Sequence, residues 1–188
     1  FLNTDRRLIF LYGRRYAGKT SFMNQLATRL SARYVVHRVE VAASISASTD
    51  PLWFIVQAIC RAMGGPEPDP VLYAAQEQTY VASYCRAIAP ESDIVHLVCM
   101  DALPVSVLAA DKRWPEALAK LNSVLSAAPG LALLIAIEGL PAEWPPRIGL
   151  AEVPYIDLEP LREDETESIL AGPVRGVLSY DYEVIRRI

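Results

Sequence analysis

The run Gly13-Arg14-Arg15-Tyr16-Ala17-Gly18-Lys19-Thr20-Ser21 brackets four side chains between glycines and follows them at once with a lysine and two hydroxyls. That order suits phosphate. Glycines let successive backbone N–H groups turn inward around an anion, and a helix starting near Lys19 adds the positive end of its dipole. Lys19 would reach the β- and γ-phosphates, and Thr20 Oγ1 would take one place around a magnesium ion that keeps most of its waters. The bland alternative is a glycine turn with no ligand. A buried strand before the run, an amphipathic helix after it and a matching downstream aspartate favour the phosphate site. Arg14 and Arg15 either clamp phosphate or a neighbour's carboxylate bidentately or point to solvent from the back of the loop. The solvent reading is preferred, because such a loop grips with its backbone.

A second set of residues is acidic. Asp101 closes the apolar run Ile94–Met100, where a carboxylate can hold the magnesium ion through water; the alternative is a solvated strand end. The next residue is Ala102, whose methyl group cannot accept a proton. Glu138, at the end of "LLIAIE", is the candidate substitute base, because parallel strands deliver their C-terminal ends to one crevice. Glu40 is the runner-up, and for both the plain alternative is a carboxylate in solvent. The expected catalytic set is therefore Lys19, Asp101 and Glu138, with Thr20 and Asp101 at the metal. His37 and His96 fall inside strand patterns and read as packed, hydrogen-bonded core residues.

The elements that must position these groups are legible in turn. "RLIFLYG", ending at Gly13, is a short apolar run suited to a strand buried on both faces. Phe22, Met23, Leu26, Ala27 and Leu30 recur at helical spacing after it. Tyr34–Val41 reads as a second strand, and Asp50-Pro51 opens a helix that two glycines stop. "GGPEPDP" is a stiff loop, followed by a helix with Tyr73, Tyr80, Tyr84 and Ile88 on one face. Asp93–Ala102 is the next strand, "PEALAKLNSVLSAAPG" a helix, "LALLIAIEG" a strand and "VPYIDLEPL" a last, shorter one. "REDETESILAGP" carries its acids in a first helical turn and ends at Gly172-Pro173. Strands alternating with helices predict an α/β fold with a mostly parallel sheet covered on both faces. The expected division is a core over 1–160 and the start of a small helical lid over 161–188.

Composition bounds the partners. Of 188 residues, 52% are hydrophobic and 21% charged, the balance of a packed domain. A formal net charge of -4 disfavours a general grip on nucleic acid or an anionic membrane, so neither is indicated as a partner. Cys60, Cys85 and Cys99 form no C-x-x-C pair and no disulfide framework, which points to the cytoplasm. No apolar run approaches the length of a membrane span. Phe1 is not an initiator methionine, and Ile188 stands inside an amphipathic pattern, so the chain is expected to be a piece of a longer protein.

"FLYGRRYAGKTSF" resembles the phosphate loop of bacterial and archaeal P-loop ATPases in the STAND and origin-recognition-like AAA+ branch, written F-x-G-R-R-x-x-G-K-T-S-L. The likeness extends through "IVHLVCMDA" and "LALLIAIEG", and "YIDLEPLREDETESILAGPVRGVLSYDYEVIRRI" is similar to the family's L-x-P-L-x-x-x-E entry into its helical lid. It implies a three-layer P-loop fold, a five-stranded sheet in 5-1-4-3-2 order, ATP or ADP with magnesium as ligands, and a nucleotide-driven switch. It also implies coupling to other domains or protein partners, a homo-oligomer among them. Hydrolysing members usually carry glutamate where Ala102 stands, so the expected function is a regulatory module with weak or absent hydrolysis. The alternatives are a working ATPase using Glu138 or a partner-supplied group, a small-molecule kinase, and an adaptor that has lost nucleotide binding. A kinase needs an arginine-rich lid, and the helix from Glu163 is acidic. Retention of Lys19 and Thr20 counts against the adaptor. Arg147 occupies the region where AAA+ proteins often place an arginine finger, and an ordinary loop arginine is its preferred reading.

Overall fold

The computed structural model describes residues 7–30, 33–41, 50–139, 150 and 153–159. The elements are β1 (Leu8–Gly13), α1 (Lys19–Arg29), β2 (Tyr34–Glu40), α2 (Pro51–Met63), α3 (Pro70–Ile88), β3 (Val95–Pro104), α4 (Val105–Ala110), α5 (Arg113–Ser126), β4 (Leu131–Glu138) and β5 (Tyr155–Leu158). All five strands join one sheet in the order β2-β3-β4-β1-β5, every pairing parallel. Counted from the other edge, that is the expected 5-1-4-3-2. The chain divides into two compact units at Leu158/Glu159, and the sheet with its helices makes up the first. The expected lid helix from Glu163 and the candidate Arg147 lie outside the described residues.

Strand periodicity sorts the core into two layers. Leu8, Phe10 and Tyr12 of β1, with Leu131, Leu133, Ile135 and Ile137 of β4, pack with α2, α3, α4 and α5. The intervening Ile9, Leu11, Ala132, Leu134 and Ala136 pack with Met23 of α1 on the other face. Successive strand side chains point to opposite faces, so a strand buried on both sides must be apolar throughout, as β1 is. β2 and β5 form the edges and alternate between exposed and half-buried positions.

Two features depart from the expected elements. β3 runs past Ala102 to Pro104, and its pairing with β4 slips between Met100 and Leu103. An extra residue on the β3 side is a bulge, and it returns Leu103 to the core layer that holds Met100. Directly after β3 comes α4, a six-residue helix that no sequence pattern announces.

Helix starts follow from local chemistry. Asp50 caps α2 by accepting from the N–H groups of Leu52 (2.9 Å) and Trp53 (3.1 Å), with Pro51 behind it. Asp69 and Pro70 repeat the device on α3. α2 stops at Gly64, whose φ of 64° is left-handed.

Candidate functional site

α1 begins differently. Gly18 precedes it with a φ of 87°, and no side chain caps the helix. The first-turn N–H groups thus face the loop Gly13–Gly18 without a side-chain acceptor, the arrangement an anion completes. Space at Gly13 is tight: a Cβ there would stand 3.1 Å from Ala17 Cβ and 3.3 Å from Leu158 Cβ, so these neighbours would have to give by a few tenths of an ångström. Tyr16 also adopts a left-handed φ, 65°, and is the one non-glycine residue to do so among those described. Its ring is 90% exposed, and the Arg15 guanidinium lies 5.2 Å from the ring centre.

Lys19 and Asp101 are the buried charged side chains among the described residues, 7% and 8% exposed. Both line one cavity of about 370 Å³ together with Arg15, Tyr16, Gly18, Thr20, Ser21 and Glu138. A cleft of that size is within the range of small-molecule sites, roughly 300–1,000 Å³. Lys19 Nζ donates to the carbonyls of Gly13 and Arg14, 2.8 Å each, which holds the ammonium across the mouth of the loop. Burial pushes its pKa below the ordinary lysine value, while the Glu138 and Asp101 carboxylates pull it back up. Thr20 Oγ1 donates to Asp101 Oδ2 at 2.6 Å. A hydroxyl beside a carboxylate at the loop mouth is an all-oxygen donor pair of the kind a hard divalent cation takes, so these residues fit magnesium.

Lys19, Thr20, Asp101 and Glu138 come together from α1, β3 and β4, as the sequence leads one to expect, because β4 lies between β1 and β3. Glu138 is half-buried and pairs in register with Gly13 on one side and Pro104 on the other. Glu40 does not join them: its side chain is 83% exposed and ion-paired with Arg38 at 3.5 Å. Arg14 is exposed and does not line the cavity, as the solvent reading has it, whereas Arg15 does line it. His37 and His96 are half-buried rather than core, and their rings stack with Nε2 and Nδ1 2.9 Å apart. No motif or spacing marks Arg38, whose Nη2 donates to Asp101 Oδ2 at 3.0 Å.

No protein-family model and no curated protein matches the chain. Solved structures do. The ORC1 protein of Aeropyrum pernix, solved in complex with DNA, superposes with a TM-score of 0.58 at 15% identity, over 95% of this chain and 47% of that one. Drosophila ORC bound to DNA gives 0.61 at 17% identity, over 92% and 42%. A Walker-type ATPase of Pyrococcus abyssi gives 0.60 at 12% identity, over 97% and 57%. The chain therefore has the fold of the AAA+-like P-loop domains, and it spans roughly half the length of the structures it matches.

Proposed function

We propose that this chain is an ATP- or ADP-binding switch module of a larger STAND- or AAA+-like protein, with weak or absent hydrolysis. One observation carries the reading: the two buried charges among the described residues, Lys19 and Asp101, line a single cavity at an uncapped helix start. Buried charges cost folding energy unless paired, and their gathering in one cleft marks a site. The Gly13–Gly18 backbone and the α1 N-terminus would cradle the phosphates, and Lys19 would neutralise them. Thr20 and Asp101 would hold magnesium, which when bound supplies charge neutralisation at the phosphate oxygens. Weak hydrolysis rests on Ala102, which offers no proton acceptor beside Asp101. Buried, unpaired Cys60, Cys85 and Cys99 suit a reducing compartment such as the cytoplasm.

A second reading, a working ATPase, is favoured by one observation: Glu138 lines the same cavity and interacts electrostatically with Lys19. The test is to purify the chain, extract any bound nucleotide, titrate ATP and ADP by calorimetry and assay turnover. Lys19→Ala should weaken binding at least about tenfold, since a charge-assisted contact contributes about 1.5–3 kcal/mol. Unchanged affinity in a folded variant would reject the site. Turnover above about one per second, the lower end of ordinary enzyme rates, would replace the first reading with the second.

A further inference from the structure

Among the described residues, Arg38 is the one ion-pair partner of Asp101 that the nucleotide reading leaves unused. On β2, Tyr34 and Val36 pack toward α1, and Arg38 is the next residue of that alternation. Arg38 is exposed, its side chain 33% accessible, and a charge on an edge strand often serves only to discourage edge-to-edge pairing. That role explains the charge and not its fixation. Nη1 donates to Asn24 Oδ1 on α1 at 3.0 Å, Nη2 donates to Asp101 Oδ2 at 3.0 Å, and Glu40 Oε1 lies 3.5 Å from Nη2. Three elements thus hold one guanidinium, and it is aimed at the same oxygen that accepts from Thr20 Oγ1.

We propose that Arg38 sets the metal dependence of the site by acting as a built-in cation at Asp101. The inference rests on the nucleotide-binding reading above. A carboxylate oxygen that already accepts from a guanidinium and a hydroxyl has less charge to offer magnesium, and the guanidinium repels a second cation beside it. The guanidinium in turn offsets the Asp101 charge beside the cavity whether or not metal is present. Arg38 is a positioning residue here: it tunes Asp101 and is not among the residues lining the cavity.

The experiment is calorimetric titration of the wild-type chain with ATP and with ADP, in excess MgCl2 and in excess EDTA. Wild-type affinity should change by no more than about threefold between the two conditions, and Arg38→Gln should introduce a dependence of about tenfold or more, the value of one charge-assisted contact. Asn24→Ala, on the exposed side of α1, frees one end of the guanidinium and should move the dependence in the same direction. Mn2+ bound in the presence of ADP, read by electron paramagnetic resonance, should be tighter in Arg38→Gln than in wild type. A wild-type dependence of about tenfold or more overturns the proposal without any variant. Equal dependence in wild type and Arg38→Gln overturns it as well, and leaves nucleotide binding standing. Absence of binding by the wild type under both conditions removes the nucleotide reading, and this proposal falls with it.

Discussion

Gly18 and Tyr16 share a left-handed backbone, φ 87° and 65°. At Gly18 a Cβ would meet nothing within 4 Å, so Gly18→Ala isolates the conformational cost. That cost is about 1–2 kcal/mol for an L-residue, and it should appear as a lower urea midpoint with the slope unchanged. An unchanged midpoint would mean the loop can relax out of the left-handed region. Glu138 makes a second residue-scale case. Burial lowers the Lys19 pKa, and Glu138 and Asp101 oppose that shift. Glu138→Gln removes one opposing charge, so Lys19 should lose its proton at lower pH and the alkaline loss of ATP binding should move to lower pH. If Glu138 also acts as base, the same variant abolishes residual hydrolysis while binding at neutral pH persists or tightens; a bystander leaves both unaltered. Lys19 and Thr20 are legible in the sequence because they sit at a helix start that the apolar pattern marks, and Asp101 because it stands where the apolar run of β3 stops, three residues before the strand itself does. Arg38 is not, because a charge in an alternating edge strand looks like a solvated face, and its target depends on inter-strand register.

Element starts with a capping signal are legible in the sequence, and the interruptions are not. Asp50-Pro51 announces α2, and the structure adds that Asp50 Oδ1 also accepts from Tyr73 Oη at 3.0 Å, tying α3 to the same carboxylate. Asp50→Ala should therefore lower stability by about 1 kcal/mol or somewhat more in a denaturant titration, since loss of an N-cap alone costs about that much. The bulge in β3 and the short α4 escape sequence reading because each spans too few residues to impose a period. Their effect is large, since one inserted residue turns every later side chain of the strand to the other face. β2 is joined to β3 by His37 and His96 as well as by backbone. Burial holds His37 below the ordinary imidazole pKa; the His96 ring lowers it further, and the Ala62 carbonyl opposes both. The folded chain then binds this proton more weakly than the unfolded one. Stability is full above the unfolded value of about 6.5 and is lost as pH falls toward the lowered folded value. The melting temperature should decline as pH falls below about 6.5, and His37→Phe should flatten the decline. An equal decline in the variant would assign the effect to other groups.

At the scale of the whole molecule, the parallel order β2-β3-β4-β1-β5 lets residues as distant in sequence as Gly13 and Glu138 share one crevice. The alternation of strands and helices already implies that convergence, because parallel strands present their C-terminal ends together. A ligand in the crevice would contact the loop after β1, the start of α1, Asp101 of β3 and the end of β4, elements that belong to both core layers. Unfolding must then release it, so binding adds to global stability by mass action, about 2.7 kcal/mol at a ligand concentration one hundred times Kd. For a chain of 188 residues each kcal/mol corresponds to about 2–4 °C, so saturating ATP or ADP should raise the melting temperature by about 5–10 °C. Lys19→Ala, binding at least about tenfold more weakly, should lose about half of that rise or more at the same nucleotide concentration while melting near the unliganded wild type, because Lys19 adds charge to the site and little to the core. A rise undiminished in Lys19→Ala would place the nucleotide elsewhere on the molecule, since a tenfold weaker ligand at fixed concentration forfeits about 1.4 kcal/mol of the stabilisation.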